Sequence, residues 1–157
     1  MKTIKFLCVL MLSAMSQIAF AQEMPAEMKT SLKADDSLKF AELVKKDSIN
    51  NCYREGNWQY SLLAQTIRYH AAKCFNLLIA RGADVNKSCD GYVPPLMHAA
   101  KYGSLAMVKA LVAKGADINF QYDGEYEPAN GETPVTYAEK NNQPEIARYL
   151  RELKKNP

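Results

Sequence analysis

The chain is short of the residues that most catalysis needs. Two histidines, His70 and His98, stand in 157 residues. Neither has an Asp, Ser or Cys at a spacing that fixes a triad. No C-x-x-C occurs among the four cysteines, so neither dithiol redox chemistry nor a zinc site has a motif. The seven glycines build no phosphate-cradling loop. The adjacent acids Asp35 and Asp36 read as a helix cap, not an acid–base dyad. These gaps point away from an enzyme, and no catalytic residue, metal or cofactor is expected.

Long hydrophobic runs are scarce too. Residues 6–14 form an apolar run too short to span a bilayer. It follows Lys2 and Lys5 and precedes Ala19-Phe20-Ala21, which offers small residues where a signal peptidase reads. Residues 1–21 are expected to be a secretory signal peptide cleaved after Ala21, the alternative being a membrane anchor or a buried helix. Cys8 lies inside the run and not just beyond it, which argues against a lipoprotein. The style of the signal suggests a Gram-negative bacterium, and hence a periplasmic or secreted protein with no stable membrane anchor.

An excess of charge is missing as well. Residues 1–21 contain Lys2 and Lys5 and no acid, so their removal takes the formal charge from +3 to +1. A nearly neutral exported domain is a poor nucleic-acid binder, and no nucleic-acid partner is expected. Export leaves Cys52, Cys74 and Cys89, enough for one disulfide and one spare thiol in an oxidising compartment.

What the chain does have is a repeat. Arg81-Gly82-Ala83-Asp84-Val85-Asn86 returns 33 residues later as Lys114-Gly115-Ala116-Asp117-Ile118-Asn119. The same offset matches Leu63 with Leu96, Arg68 with Lys101, Tyr69 with Tyr102, Leu78 with Leu111 and Cys74 with Met107. A third copy begins at Gly131-Glu132-Thr133-Pro134-Val135, displaced by 39 residues, so six are inserted before it. There Ala138, Lys140, Ile146 and Leu150 take the places of Ala99, Lys101, Met107 and Leu111.

Each copy predicts a helix pair. In the second, a short helix covers about 95–101, and Gly103 supplies a turn of positive φ. A longer helix covers about 105–114, with Leu105, Val108, Leu111 and Val112 at helical spacing, and Gly115 caps it. His70 and Asn142 hold the turn position in the other copies, and both residue types tolerate positive φ.

These features resemble the ankyrin repeat. The 33-residue period, Pro95-Leu96-Met97-His98-Ala99-Ala100, the Gly103 turn and the Gly-Ala-Asp-Ile-Asn ending carry the likeness. The Thr-Pro of the family tetrapeptide survives as Thr133-Pro134 but stands as Ser61-Leu62 and Pro94-Pro95 in the earlier copies. The resemblance implies an all-α solenoid of about three and a half to four helix-turn-helix repeats, near 35–51, 57–88, 90–121 and 129–157, after a lead-in over 22–34. The first is expected as a degenerate half-repeat, with Asp36 capping a helix over 38–46. The last is expected as an end cap, since Glu139 and Arg151 put charge where other copies are apolar and so need a wet outer face.

In such a solenoid the loop fingers and first helices line a concave face. The resemblance places Trp58, Gln59, Tyr60, Arg68 and Tyr69 there, then Asp90, Tyr92, Lys101 and Tyr102, then Glu132, Lys140 and Asn141. Arg68, Lys101 and Lys140 form one basic row. The insert over 121–131, with Tyr122, Tyr126 and three acids, is too polar to be core and lengthens the last finger. Trp, Tyr and Arg dominate interface energetics, and the alternative is a solvated surface with scattered aromatics. Cys74 should face the core. If a disulfide forms, Cys52–Cys89 is the expected pair, because both lie just past an Asn that ends a repeat.

The expected function is a protein-binding module, monomeric when unbound, that grips another protein through this face and its fingers. The alternatives are an inhibitor or immunity protein of a toxic or lytic enzyme, and a stress-support factor handling an enzyme or cofactor.

Overall fold

The computed structural model describes residues 22–90 and 92–155. The expected signal peptide over 1–21 lies outside the described residues. Four helix pairs follow one another: α1 (Ala26–Lys33) with α2 (Ser37–Leu43), α3 (Leu62–Arg68) with α4 (Ala72–Ala80), α5 (Pro95–Tyr102) with α6 (Leu105–Ala113), and α7 (Pro134–Lys140) with α8 (Pro144–Lys155). First helices pack on first helices, α3 on α5 and α5 on α7. Second helices pack on second helices, α2 on α4, α4 on α6 and α6 on α8. The result is a solenoid.

Every pair turns on a left-handed residue. Asp35, His70, Gly103 and Asn142 have φ of 48°, 55°, 81° and 57°. Around the three non-glycine turns a backbone bond of 2.9 Å spans the helix end: Asp36 N–H to Ser31, Ala71 N–H to Thr66 and Gln143 N–H to Ala138. This is the six-to-one bond of the Schellman ending. Side-chain oxygens cap several helix starts, with Asp36 accepting from Lys39 N–H at α2, Ser104 from Met107 N–H at α6 and Thr133 from Thr136 N–H at α7.

The N-terminal repeat is larger than expected. The lead-in over 22–34 carries a full first helix, whose Met28 and Leu32, four residues apart, are buried against the stack. Its partner stops at Leu43 instead of running to residue 46. Val44 leaves the helix at φ −90°, ψ 106° and is buried, in keeping with the extended preference of β-branched residues. Residues Lys46–Ser48 form a single 3₁₀ turn.

The main core runs the length of the stack through Leu32, Phe40, Leu63, Leu78, Leu96, Leu111, Ile146 and Leu150, all nearly inaccessible. Each such burial contributes about 1.5–3 kcal/mol. Cys74 sits in this core as a small apolar side chain. Burial, reinforced by the nearby Asp35 charge, pushes its thiol up to about 12, so it stays protonated.

The recurring Asp and Asn explain themselves in the loops. Asp84 and Asp117 accept from the N–H groups of Asn86 and Asn119 and so close their own turns, at 2.9 and 2.8 Å. The asparagines reach across repeats: Asn50 Oδ1 accepts from Asp84 N–H and Asn86 Oδ1 from Asp117 N–H, both at 2.9 Å. One residue shapes the turn and its neighbour fixes the spacing of the units.

The all-α expectation needs one addition. Residues between the first two pairs form a hairpin of β2 (Cys52–Glu55) and β3 (Trp58–Ser61), and β1 (Gln22–Glu23) pairs with β2 in parallel. The register sets Cys52 opposite Ser61 and Glu55 opposite Trp58. Gly56, at φ 63°, takes the first position of the two-residue turn, where such turns favour glycine.

Candidate partner-binding site

The hairpin projects the first finger, and a covalent bond ties it to the second. Cys52 and Cys89 are joined by a disulfide, their Cα atoms 5.9 Å apart. Gln59 also donates to the Asp90 carboxylate across the same gap. Trp58 is thereby fixed beside Tyr92, ring centroids 5.0 Å apart, and beside Tyr126 of the insert at 5.5 Å.

The insert covers more than it exposes. Tyr122 and Ala129 are buried, and Tyr122 exchanges two backbone bonds with the far side of the loop, donating to Glu132 at 3.0 Å and accepting from Gly131 at 2.8 Å. The insert therefore contributes to a second core, in which Tyr60, Tyr92, Met97, Tyr122 and Tyr137 pack together. This corrects two expectations. The segment is not too polar to be core, because its polar residues turn outward around two buried anchors. Tyr60 and Tyr92 do not lie open on the concave face, nor Tyr122 on its finger, because the insert and the hairpin pack into one buried cluster with them. Trp58 keeps 41% of its surface, while Tyr69, Tyr102 and Tyr126 remain partly accessible.

The basic row is partnered from within. Arg68 donates to the Tyr102 hydroxyl at 2.9 Å, pairs with Glu55 at 3.4 Å, and lies 3.8 Å over the Tyr60 ring centroid. Lys101 donates to the Tyr126 hydroxyl at 3.2 Å. Lys140, half exposed, pairs with Glu132 at 2.9 Å. Tyr69 donates to Glu55 at 2.6 Å, and Lys29 of α1 reaches the same carboxylate at 3.2 Å. Asn141 bonds back to the Tyr137 carbonyl at the end of α7. On the outer face of the last repeat, Arg151 pairs with Glu139.

Environment sets the ionisation of these groups. Partial burial draws the Glu55 carboxyl upward, but Tyr69, Lys29 and Arg68 outweigh it and hold it below the usual carboxylate range. Burial likewise opposes ionisation of Tyr126, yet Lys101, by hydrogen bond and charge, brings that phenol below its ordinary value. His98, on α5, is wholly enclosed among Tyr60, Tyr92 and Tyr102. Burial, with Arg68 and Lys101 adding repulsion, pushes its imidazole down to about 3, so it is neutral at physiological pH.

Between the fingers lies a cleft of about 620 Å³. Trp58, Tyr92 and Tyr126 form its aromatic wall, and Arg54, Asp90 and Glu125 give its rim both signs of charge. The sequence signalled most of the wall by residue type. It gave no warning of Arg54 or Glu55, which a hairpin at 52–61 brings into place. Among the described residues no group of three or more His, Cys, Asp or Glu could hold a metal ion, and no helix is long and apolar enough to cross a membrane.

Stacked helix pairs with extended fingers and an inter-repeat asparagine ladder define a repeat solenoid. Residues 33–122 and 62–157 match the family described as ankyrin repeats (3 copies), and the chain belongs to the ankyrin-repeat family. Ankyrin repeats are in general protein–protein interaction modules and non-enzymatic scaffolds. No curated protein matches the chain.

Proposed function

We propose that this protein is an exported docking module that seats a partner protein in the cleft between its fingers. The observation that carries this reading is Trp58, a large aromatic residue with 41% of its surface open at the mouth of the cleft. It is held from behind by Tyr92 and Tyr126. A rigid tryptophan backed by tyrosines is the usual composition of an interface hot spot, and the two-signed rim suits a partner of mixed charge. Tyr69, Tyr102, Lys101 and Lys140 flank this centre, while buried Tyr60, Tyr92 and Tyr122 support it from beneath.

The disulfide supports export. Such bonds persist in oxidising compartments and are rare in the cytosol. With the signal-like residues 1–21, this favours the periplasm. Cross-linking in periplasmic extract with the processed chain as bait tests the docking role. Trp58→Ala should lose the specific adduct while keeping the helical spectrum and the urea midpoint. An adduct of unchanged yield would place the site elsewhere. Fractionation with N-terminal sequencing tests export: the periplasmic form should begin Gln22-Glu23-Met24, and an uncleaved chain confined to the cytosol would overturn it.

A further inference from the structure

Trp58, Tyr92 and Tyr126 also border a second, smaller cavity of about 90 Å³. Arg68, Lys101 and His98 stand on its other sides. The volume suits about three waters or one small planar group.

Three observations make this cavity unusual. First, two buried polar atoms on its lining have no hydrogen-bond partner among the described residues: Nε of Arg68 and Nε2 of His98. Leaving a buried donor unmade costs about 1–3 kcal/mol, and more for a charged group. Second, no carboxylate among the described residues lines it. Glu55, the nearest acid in the network, is already shared between Lys29 and Arg68, and Lys101 forms no ion pair among the described residues. Third, the free position on Arg68 is its Nε edge, since Nη1 is taken by Tyr102 and Nη2 by Glu55. A guanidinium edge is shaped for a planar carboxylate oxygen.

We propose that this cavity binds a carboxylate, held between Arg68 Nε–H and the Lys101 ammonium, with the neutral His98 ring donating from Nε2–H. The carboxylate comes either from an acidic side chain of the docked partner or from a small free carboxylic acid. Only the first source rests on the docking role. Lys101 exchanges its present phenol partner for the anion, and the aromatic rings shield the pair from water. A neutral imidazole supplies one donor and one acceptor, so His98 satisfies the ligand without protonation. A bound anion also offsets the repulsion that Arg68 and Lys101 impose on His98.

The His98 ring protons report on the site directly. The folded chain is titrated at constant ionic strength with sodium acetate, with the α-amide of N-acetyl-aspartate, and with sodium chloride and sodium sulfate as controls. Acetate should give a saturable shift of the His98 signals and raise the pH at which they titrate. Lys101→Met and Lys101→Gln, each checked for an unchanged urea midpoint, should weaken that binding at least about tenfold. Saturation by acetate alone assigns a free acid; saturation by the capped aspartate as well assigns a partner side chain. No saturable shift with either carboxylate, an equal shift with chloride or sulfate, or full binding by both Lys101 variants would overturn the site. Loss of the cross-linked adduct on Trp58→Ala would still stand in those cases, so the docking role fails or survives separately.

Discussion

The carboxylate of Asp35 accepts from the backbone N–H of Cys74 at 3.0 Å and of Lys73 at 2.9 Å. It thereby caps α4, a helix of the next repeat. Ala71 at the N-cap of α4 has no side-chain oxygen to offer, and Asp35 replaces it from 36 positions upstream. Asp35 itself sits at φ 48°. Asp35→Gly keeps that backbone without strain and removes only the cap, so it should lower stability by about 1–2 kcal/mol. Asp35→Asn should fall between the two. Urea midpoints decide the matter, and a glycine variant as stable as the parent would refute trans-repeat capping.

His98 makes stability depend on acid. Its folded value of about 3 lies below the ordinary 6.5, so between these limits the unfolded chain takes up a proton that the folded chain refuses. Stability is complete above about pH 6.5 and falls as the pH drops towards 3, by up to about 1.4 kcal/mol per unit from this group. His98→Phe should reduce the slope of unfolding free energy against pH by nearly one proton in this window. Denaturant titrations at pH 6.5, 5.5 and 4.5 measure it, and equal slopes would place the acid sensitivity elsewhere.

Gly103 is constrained twice. Its φ is 81°, and a Cβ there would stand 2.7 Å from the Gln143 side-chain oxygen. Gly103→Ala should therefore cost about 1–2 kcal/mol, roughly 1 from the backbone and the rest from crowding. Gln143→Ala in the same chain should recover the crowding part only. A double-mutant cycle with zero coupling would show that Gln143 moves aside freely.

The Cys52–Cys89 bond closes a loop with a sequence separation of 37. By chain entropy it should stabilise the fold by about 3–4 kcal/mol. Reduction, or paired replacement by serine, should lower the thermal midpoint by about 10–15 °C and raise solvent access at Trp58. An unchanged midpoint under reductant would mean that the finger contacts alone set the geometry.

Sequence periodicity carried the middle of the molecule well. The 33-residue offset placed α3 to α6, the left-handed positions and the core face, because helix pairs leave apolar residues at fixed spacing. It missed α1, since Asp35 and Asp36 looked like one cap when Asp35 holds the turn and Asp36 starts the next helix. It also missed the hairpin. Four-residue strands leave a faint alternation, and the readable sign, Gly56-Asn57 between two aromatic-bearing runs, is shorter than the repeat being followed. The burial of Tyr60 and Tyr92 was out of reach for another reason. What covers them is the insert, which by definition departs from the repeat.

A solenoid held by nearest-neighbour contacts can be drawn out unit by unit when its ends are pulled. Here the sulfur bridge takes the load between residues 52 and 89, and the chain it encloses feels no tension while the bridge lasts. Some 120–130 Å of contour is hidden in that way, taking 3.3–3.6 Å per residue. Under traction the two ends of the protein lengthen, while the stretch between the two cysteines, Trp58 included, adds no length until a reductant opens the bridge.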